Sequence, residues 1–140
     1  MYKKILVTLD TSPADQAILE HIRPLARLMG SRIVLLHVAD GWAARLYGND
    51  AVSREITEDR AYLARMESEL TSEGFEVEAA LAFGDPATQI ISWVEEKGCD
   101  LIAMSTHGHR LLGDLLWGTT ANRVQHMVDV PVLMLRAKKA

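Results

Sequence analysis

Cysteine, proline, aromatic residues and positive charge are all scarce in this chain, and each shortage narrows what it can be. Cys99 is the only cysteine, so no internal disulfide can form and no cysteine cluster can hold zinc. Set between Gly98 and Asp100 beside a strand pattern, it reads as a buried, inert thiol. The 15 lysines and arginines are outnumbered by 19 aspartates and glutamates, for a net charge of -4. That balance argues against a nucleic-acid partner held by bulk electrostatics. Apolar runs such as Ile33 to Leu36 fall far short of the roughly 20 residues that a membrane span needs. The opening MYKKILVTLD enters an apolar run after two lysines, but Asp10 cuts it too short for a signal-peptide core, and no small-residue cleavage site follows. A cytoplasmic protein with neither membrane nor nucleic acid as partner is therefore expected.

What remains is ordinary globular material. The 140 residues are 49% hydrophobic and 24% charged, which suits one domain spanning 1–140. Ile5 to Leu9 is a short run rich in branched residues that ends at Asp10-Thr11-Ser12-Pro13, the pattern of a buried strand running into a helix. Ser12 reads as the helix cap, Pro13 as its first residue, and Asp15 as a favourable charge in its first turn. Ile18, Ile22, Leu25 and Met29 draw one apolar face that ends at Gly30. Pro24 predicts a kink or an early end.

Arg32 to Val38 reads as a second strand, followed by an irregular stretch from Ala39 to about Asn49. Val52, Ile56, Leu63, Met66 and Leu70 then form a helical stripe among charges, Asp59 included, that Gly74 closes. Phe75 to Phe83 predicts a third strand, Gly84-Asp85-Pro86 a turn and helix cap, and Ile90, Ile91 and Val94 a helix ending at Gly98. Leu101 to Met104 reads as a fourth strand, His107 to Trp117 as a loop, Thr119 to about Val128 as a helix, and Val130 to Leu135 as a fifth strand. Strands without a polar face, alternating with helices, predict an α/β fold: a doubly wound, five-stranded parallel sheet with helices on both faces and right-handed crossovers. Ligands of such sheets bind beyond the carboxyl ends of the strands, where the strand order reverses. The loops after Leu9, Val38, Phe83 and Met104 are therefore the places to search.

The loop after Met104 carries the most chemistry. Ser105-Thr106-His107-Gly108 continues through His109 and Arg110 to Gly118-Thr119-Thr120, which is expected to open a helix. Glycines allow close backbone approach, and hydroxyls next to free N–H groups at a helix start suit an anion, phosphate above all. Arg110, with His107 and His109 when protonated, adds local positive charge. Neither common nucleotide motif is present: Thr119 stands where a Walker A lysine would be, and no G-x-G-x-x-G follows the first strand. Two histidines two residues apart without a third ligand do not make a metal site.

In order and spacing these residues resemble the universal stress proteins, whose signature is G-x-x-G, nine residues, then G-S or G-T. Ser105 to Gly108, the nine residues His109 to Trp117, and Gly118-Thr119 follow that frame, with Ser105 replacing its first glycine. Lys3-Lys4-Ile5-Leu6-Val7 into Asp10-Thr11-Ser12, then Leu35-Leu36-His37-Val38, and finally Val130-Pro131-Val132-Leu133 are similar to the family's first, second and last strands. The resemblance implies a sheet of order 3-2-1-4-5 and a stress-response regulator that binds ATP, AMP or ADP. Asp10 and Val38 would hold ribose and adenine. Gly108, Gly118, Thr119 and Thr120 would line the phosphates, and Thr8, Met104 and Ser105 would wall the pocket beside His109 and Arg110. Any Mg²⁺ would be held through the phosphates and water. A homodimer paired through Val130–Leu135 is implied too, which would cover an apolar edge.

No general base aimed at a water is evident, so a dedicated enzyme is not expected and ATP hydrolysis would be slow at most. A nucleotide-free dimeric interaction scaffold of the same fold is the alternative. An adenylating ligase lacks its glycine-rich loop here, and a phosphorelay receiver lacks its acidic pair, since Asp10 stands alone, while Asp85 after the third strand follows a glycine turn.

Overall fold

A computed structural model of the chain describes residues 1–39, 49–105 and 111–136, the side chains of 49–53 and 111–118 excepted. Strand and helix alternate through β1 (Lys4–Thr8), α1 (Ala14–Met29), β2 (Arg32–Ala39), α2 (Asn49–Ser72), β3 (Val77–Phe83), α3 (Pro86–Lys97), β4 (Leu101–Ser105), α4 (Leu111–Met127) and β5 (Val132–Leu135). The strands form one sheet in the order β3-β2-β1-β4-β5, and every pairing is parallel. Successive side chains of a strand point to opposite faces, and here both faces are apolar. Ile5, Val7, Ile33 and Leu35 pack with Ile18 and Ile22 of α1 and with Leu63, Met66 and Leu70 of α2. Leu6, Val34, Leu36 and Ile102 pack on the other face with Ile90 and Val94 of α3 and with Ala121 and Val124 of α4.

The predicted helix signals hold with two exceptions. Pro13 has helical angles (φ -57°, ψ -20°), and Ser12 Oγ accepts the Ala14 N–H at 3.2 Å. Gly30 ends α1 at φ 68°, its N–H donating to Ala26 O, a left-handed cap that side chains strain. Pro24, however, neither ends nor splits α1, which runs on to Met29. The carbonyl that Pro24 leaves unpaired belongs to Glu20, and both residues are exposed, so water can satisfy it.

The second exception is α4. It begins at Leu111, where the sequence predicts a loop up to Trp117 and a helix from Thr119. Gly118, Thr119 and Thr120 therefore lie within the helix and do not open it. The leucines at 111, 112, 115 and 116 are strong helix formers, and their preference outweighs glycines at 113 and 118 that cost about 1 kcal/mol each.

Between the two faces, burial predicts sharply different costs of truncation. Ile22, fully buried between α1 and the sheet, should lose about 3 kcal/mol of stability as Ile22→Ala. Leu28 on the same helix is 79% exposed, and Leu28→Ala should stay within about 0.5 kcal/mol of the parent. Urea unfolding monitored by circular dichroism separates the two.

Candidate functional site

Strand order reverses between β1 and β4, so the crevice that such a sheet offers a ligand opens beyond the carboxyl ends of these two strands. Thr8 ends β1, with its hydroxyl donating to Ala103 O at 3.4 Å. Met104 and Ser105 end β4, both buried. On the other side of β1, the Leu9 N–H donates to Leu36 O at 2.8 Å, which brings Val38, itself buried, to the same edge. Thr8, Asp10, Val38, Met104 and Ser105 are thus gathered there. In α4, Thr120 is buried and Thr119 exposed. Gly108, His109 and Arg110 lie outside the described residues, as do His107, Asp40, Gly41, Trp42, Tyr47 and the side chain of Trp117.

The loop from β1 into α1 is held by carboxylates. Asp15 Oδ1 accepts the Asp10 N–H and Asp15 Oδ2 the Thr11 N–H, each at 3.0 Å. Thr11 takes the left-handed conformation, φ 63°, which costs a β-branched residue about 1–2 kcal/mol. The turn aims the Ser12 N–H at Asp10 Oδ1, 3.0 Å away, and the Ser12 hydroxyl donates to the same oxygen. Among the described residues Asp10 Oδ2 has no hydrogen-bond donor. Asp10 is half-exposed, so this oxygen can accept from a ligand hydroxyl.

Four residues outside the predicted set complete the arrangement. Asp15, expected as a favourable charge in the first helical turn, is fully buried and also accepts the Tyr62 hydroxyl of α2 at 2.6 Å. Its position was legible: Asp15, Ile18, Leu19 and Ile22 share one helix face. Burial pushes its carboxyl up to about 7, against the pull of Tyr62 and the Asp10 amide; the charge of Asp10 and a hydrogen bond with the Asp10 side chain add to the rise. His37 faces the same layer from β2. Its Nδ1 donates to Leu9 O at 2.7 Å, since a carbonyl can only accept. His37 Nε2 lies 3.3 Å from Asp59 Oδ2, within ion-pair reach but without hydrogen-bond alignment, so that buried oxygen has no hydrogen-bond partner among the described residues. Burial opposes charge on His37, yet Asp59, Leu9 O and Asp15 together raise its pKa. Asp59 also had a signal, since Ile56, Asp59, Leu63, Met66 and Leu70 follow the three-four spacing of a buried stripe.

Elsewhere the bland expectations hold. Asp85 Oδ2 caps α3 by accepting the Thr88 N–H at 3.1 Å and the Thr88 hydroxyl at 2.6 Å. Arg123 of α4 reaches both Asp85 oxygens, at 3.1 and 2.9 Å, and these donors, Thr88 foremost, hold its carboxyl below the usual range. Cys99 is buried, and burial pushes its thiol up to about 11, so it is unreactive near neutrality. Among the described residues no group of three or more His, Cys, Asp or Glu side chains could hold a metal ion. Nor is any helix long and apolar enough to cross a membrane.

Asp15 and His37 both hold protons more tightly in the folded chain, so both contributions to stability fade as pH rises. The Asp15 contribution is complete below about 3.8 and lost as pH climbs to about 7. That of His37 is complete below about 6.5 and lost through its raised folded value. Urea midpoints should therefore decline from about pH 4.5 to above pH 7, and His37→Gln should make the decline above pH 6.5 shallower, leaving the Asp15 part that runs out just above pH 7. A midpoint that rises over this range would contradict the assignment.

Comparison with known proteins agrees with this architecture. The family model described as the Universal stress protein family matches residues 1–136. Universal stress protein MJ0577 of Methanocaldococcus jannaschii is 26% identical, over 100% of this chain and 98% of its own. The solved structure of MJ0577 superposes with a TM-score of 0.82 at 29% identity, covering 100% of this chain and 99% of that one. Universal stress protein YxiE of Bacillus subtilis is 26% identical over 97% of this chain and 100% of its own. A universal stress protein of Archaeoglobus fulgidus, solved in complex with dAMP, has a TM-score of 0.69 at 22% identity, covering 96% of this chain and 98% of that one. From its first strand to its last, this chain belongs to the universal stress protein family.

Proposed function

We propose that the chain is a regulatory protein of the stress response that binds an adenine nucleotide, ATP foremost, at the carboxyl edge of β1 and β4. The observation that carries this reading is the Asp10 carboxylate. One of its oxygens is committed to Ser12, while the other is left to accept from the hydroxyls of a ribose beside Val38. The loop after β1 cannot double as a phosphate cradle. Its Asp10 and Thr11 amides donate to Asp15, its Ser12 amide to Asp10, and both acceptors are acidic. Phosphates are therefore assigned to the β4–α4 side, to Ser105, Gly108, His109, Arg110, Gly118, Thr119 and Thr120, with any Mg²⁺ taking phosphate and water oxygens. The A. fulgidus relative that holds dAMP supports the adenine class. Hydrolysis is slow at most, and the protein acts in the cytoplasm.

Calorimetry with ATP, ADP and AMP tests the reading, together with mass spectrometry of whatever copurifies. Asp10→Ala should weaken binding at least tenfold, the worth of hydrogen bonds to a charged acceptor. If none of the three nucleotides binds at millimolar concentration, the reading fails.

A second reading, compatible with the first, makes the sheet a dimer scaffold. β5 is an edge strand whose four residues, Val132 to Leu135, are half-buried and apolar. Such an edge invites strand pairing, and a second copy across a two-fold axis would supply it through Val130–Leu135. Sedimentation at micromolar concentration should give a dimer; a strict monomer excludes this arrangement.

A further inference from the structure

We propose that Asp15, clamped by Tyr62 of α2, is a positioning residue: it sets the orientation in which Asp10 meets its ligand, and its proton governs that orientation. The inference rests on the nucleotide reading of the edge and adds a means of regulating it.

The geometry runs in one direction. A buried carboxylate with three donors, the amides of Asp10 and Thr11 and the Tyr62 hydroxyl, is fully satisfied only when ionised. Its two amide bonds bracket Asp10 and hold Thr11 in the left-handed turn. That turn brings the Ser12 amide and hydroxyl onto Asp10 Oδ1 and leaves Oδ2 for the ligand. Protonating Asp15 turns one acceptor into a donor. The Thr11 and Asp10 amides cannot reverse, so the proton turns to the Asp10 carboxylate, which lies within side-chain hydrogen-bond reach, or Tyr62 rotates to accept it, or an amide is released, and with it the restraint on the turn.

The titratable and charged groups facing Asp15 are few. Asp10 stands in its own loop, His37 on β2, and Tyr62 on α2, where Asp59 pairs with His37 and Arg65 lies beside Tyr62. Burial lifts the Asp15 titration to about 7, so the two forms exchange within the ordinary range of cellular pH. The clamp also reaches beyond the loop. Asp59 and Tyr62, one helical step apart on α2, act on Leu9 through His37 and on Asp10 and Thr11 through Asp15. A shift of α2 is therefore felt at two successive points of the site.

Nuclear magnetic resonance of the full chain without nucleotide tests the clamp. The Asp15 carboxyl carbon and the Asp10 and Thr11 amides should share one titration centred near pH 7. Tyr62→Phe removes a donor to the carboxylate and should move that midpoint up by about one pH unit. Asp15→Asn should abolish it. An Asp15 carboxyl that titrates near pH 4, amides that do not move with it, or a midpoint unchanged by Tyr62→Phe would overturn the inference.

Calorimetry with ATP at pH 6 and pH 8 then connects the clamp to binding. The change of affinity with pH should exceed that of Asp15→Asn by roughly fivefold, because phosphate and histidine titrations are common to both proteins. Equal pH profiles in the two proteins would overturn the inference and leave the nucleotide reading intact. Absence of nucleotide binding with the shared titration present would do the reverse, removing the reading while Asp15 still positions Asp10.

Discussion

Two-sided burial of the parallel strands is the constraint from which the rest of this structure follows. A strand with no polar face must be covered above and below, so each β-to-β connection has to leave the sheet, lay a helix on one face and return in the same direction. α1 and α2 cover one face, α3 and α4 the other. Because β1 and β4 are neighbours with their helices on opposite faces, the connections leaving their carboxyl ends diverge, and a crevice between them is the geometric consequence. The site exists because of how the core is buried.

Within that frame, the loop after β1 is governed by the cost of enclosing charge. A buried carboxylate is tolerated only when donors surround it, and Asp15 finds them in two backbone amides and a tyrosine hydroxyl. In return it offsets the strain of a left-handed threonine. His37 and Asp59 form a second buried polar pair close by. Removing one partner of such a pair costs more than the pair contributes, because the other stays in place and uncompensated. The apolar layer between α1, α2 and the sheet thus carries a polar seam along its upper margin, and the seam ends at Asp10.

This arrangement divides the carboxyl edge electrostatically. The β1 side presents carboxylates with their amides already engaged, which suits hydroxyl groups and repels phosphate. Glycine, hydroxyl and basic side chains belong, by sequence, to the β4 side. In dinucleotide-binding folds the glycine-rich turn after the first strand receives the pyrophosphate; here Asp10-Thr11-Ser12-Pro13 stands in that place and excludes it. A ligand with hydroxyls at one end and phosphate at the other is oriented by this polarity. At the carboxyl edge of β3, Arg123 on Asp85 links α4 to the start of α3.

Strand identity, the caps at Ser12, Gly30 and Asp85, and the loops where a ligand would sit were readable from local patterning: branched apolar runs, turn residues at fixed offsets, helical spacing. Sheet order and the gathering of Thr8, Asp10, Val38, Met104 and Ser105 were implied by the family resemblance. Propensity over several residues misjudged the start of α4, where leucines prevail over glycines; Pro24 does not end α1, because the Glu20 carbonyl it leaves unpaired is open to water. The seam was less visible. Asp15 and Asp59 each sit on an apolar helical stripe, yet an aspartate in a first turn or among other charges reads as solvated until its neighbours are known. That Tyr62 meets Asp15 and that His37 holds the Leu9 carbonyl depend on contacts between residues 47 and 28 positions apart. Periodicity along a chain specifies which face is buried. Only the packed structure decides what a buried charge meets there, because that partner comes from another element.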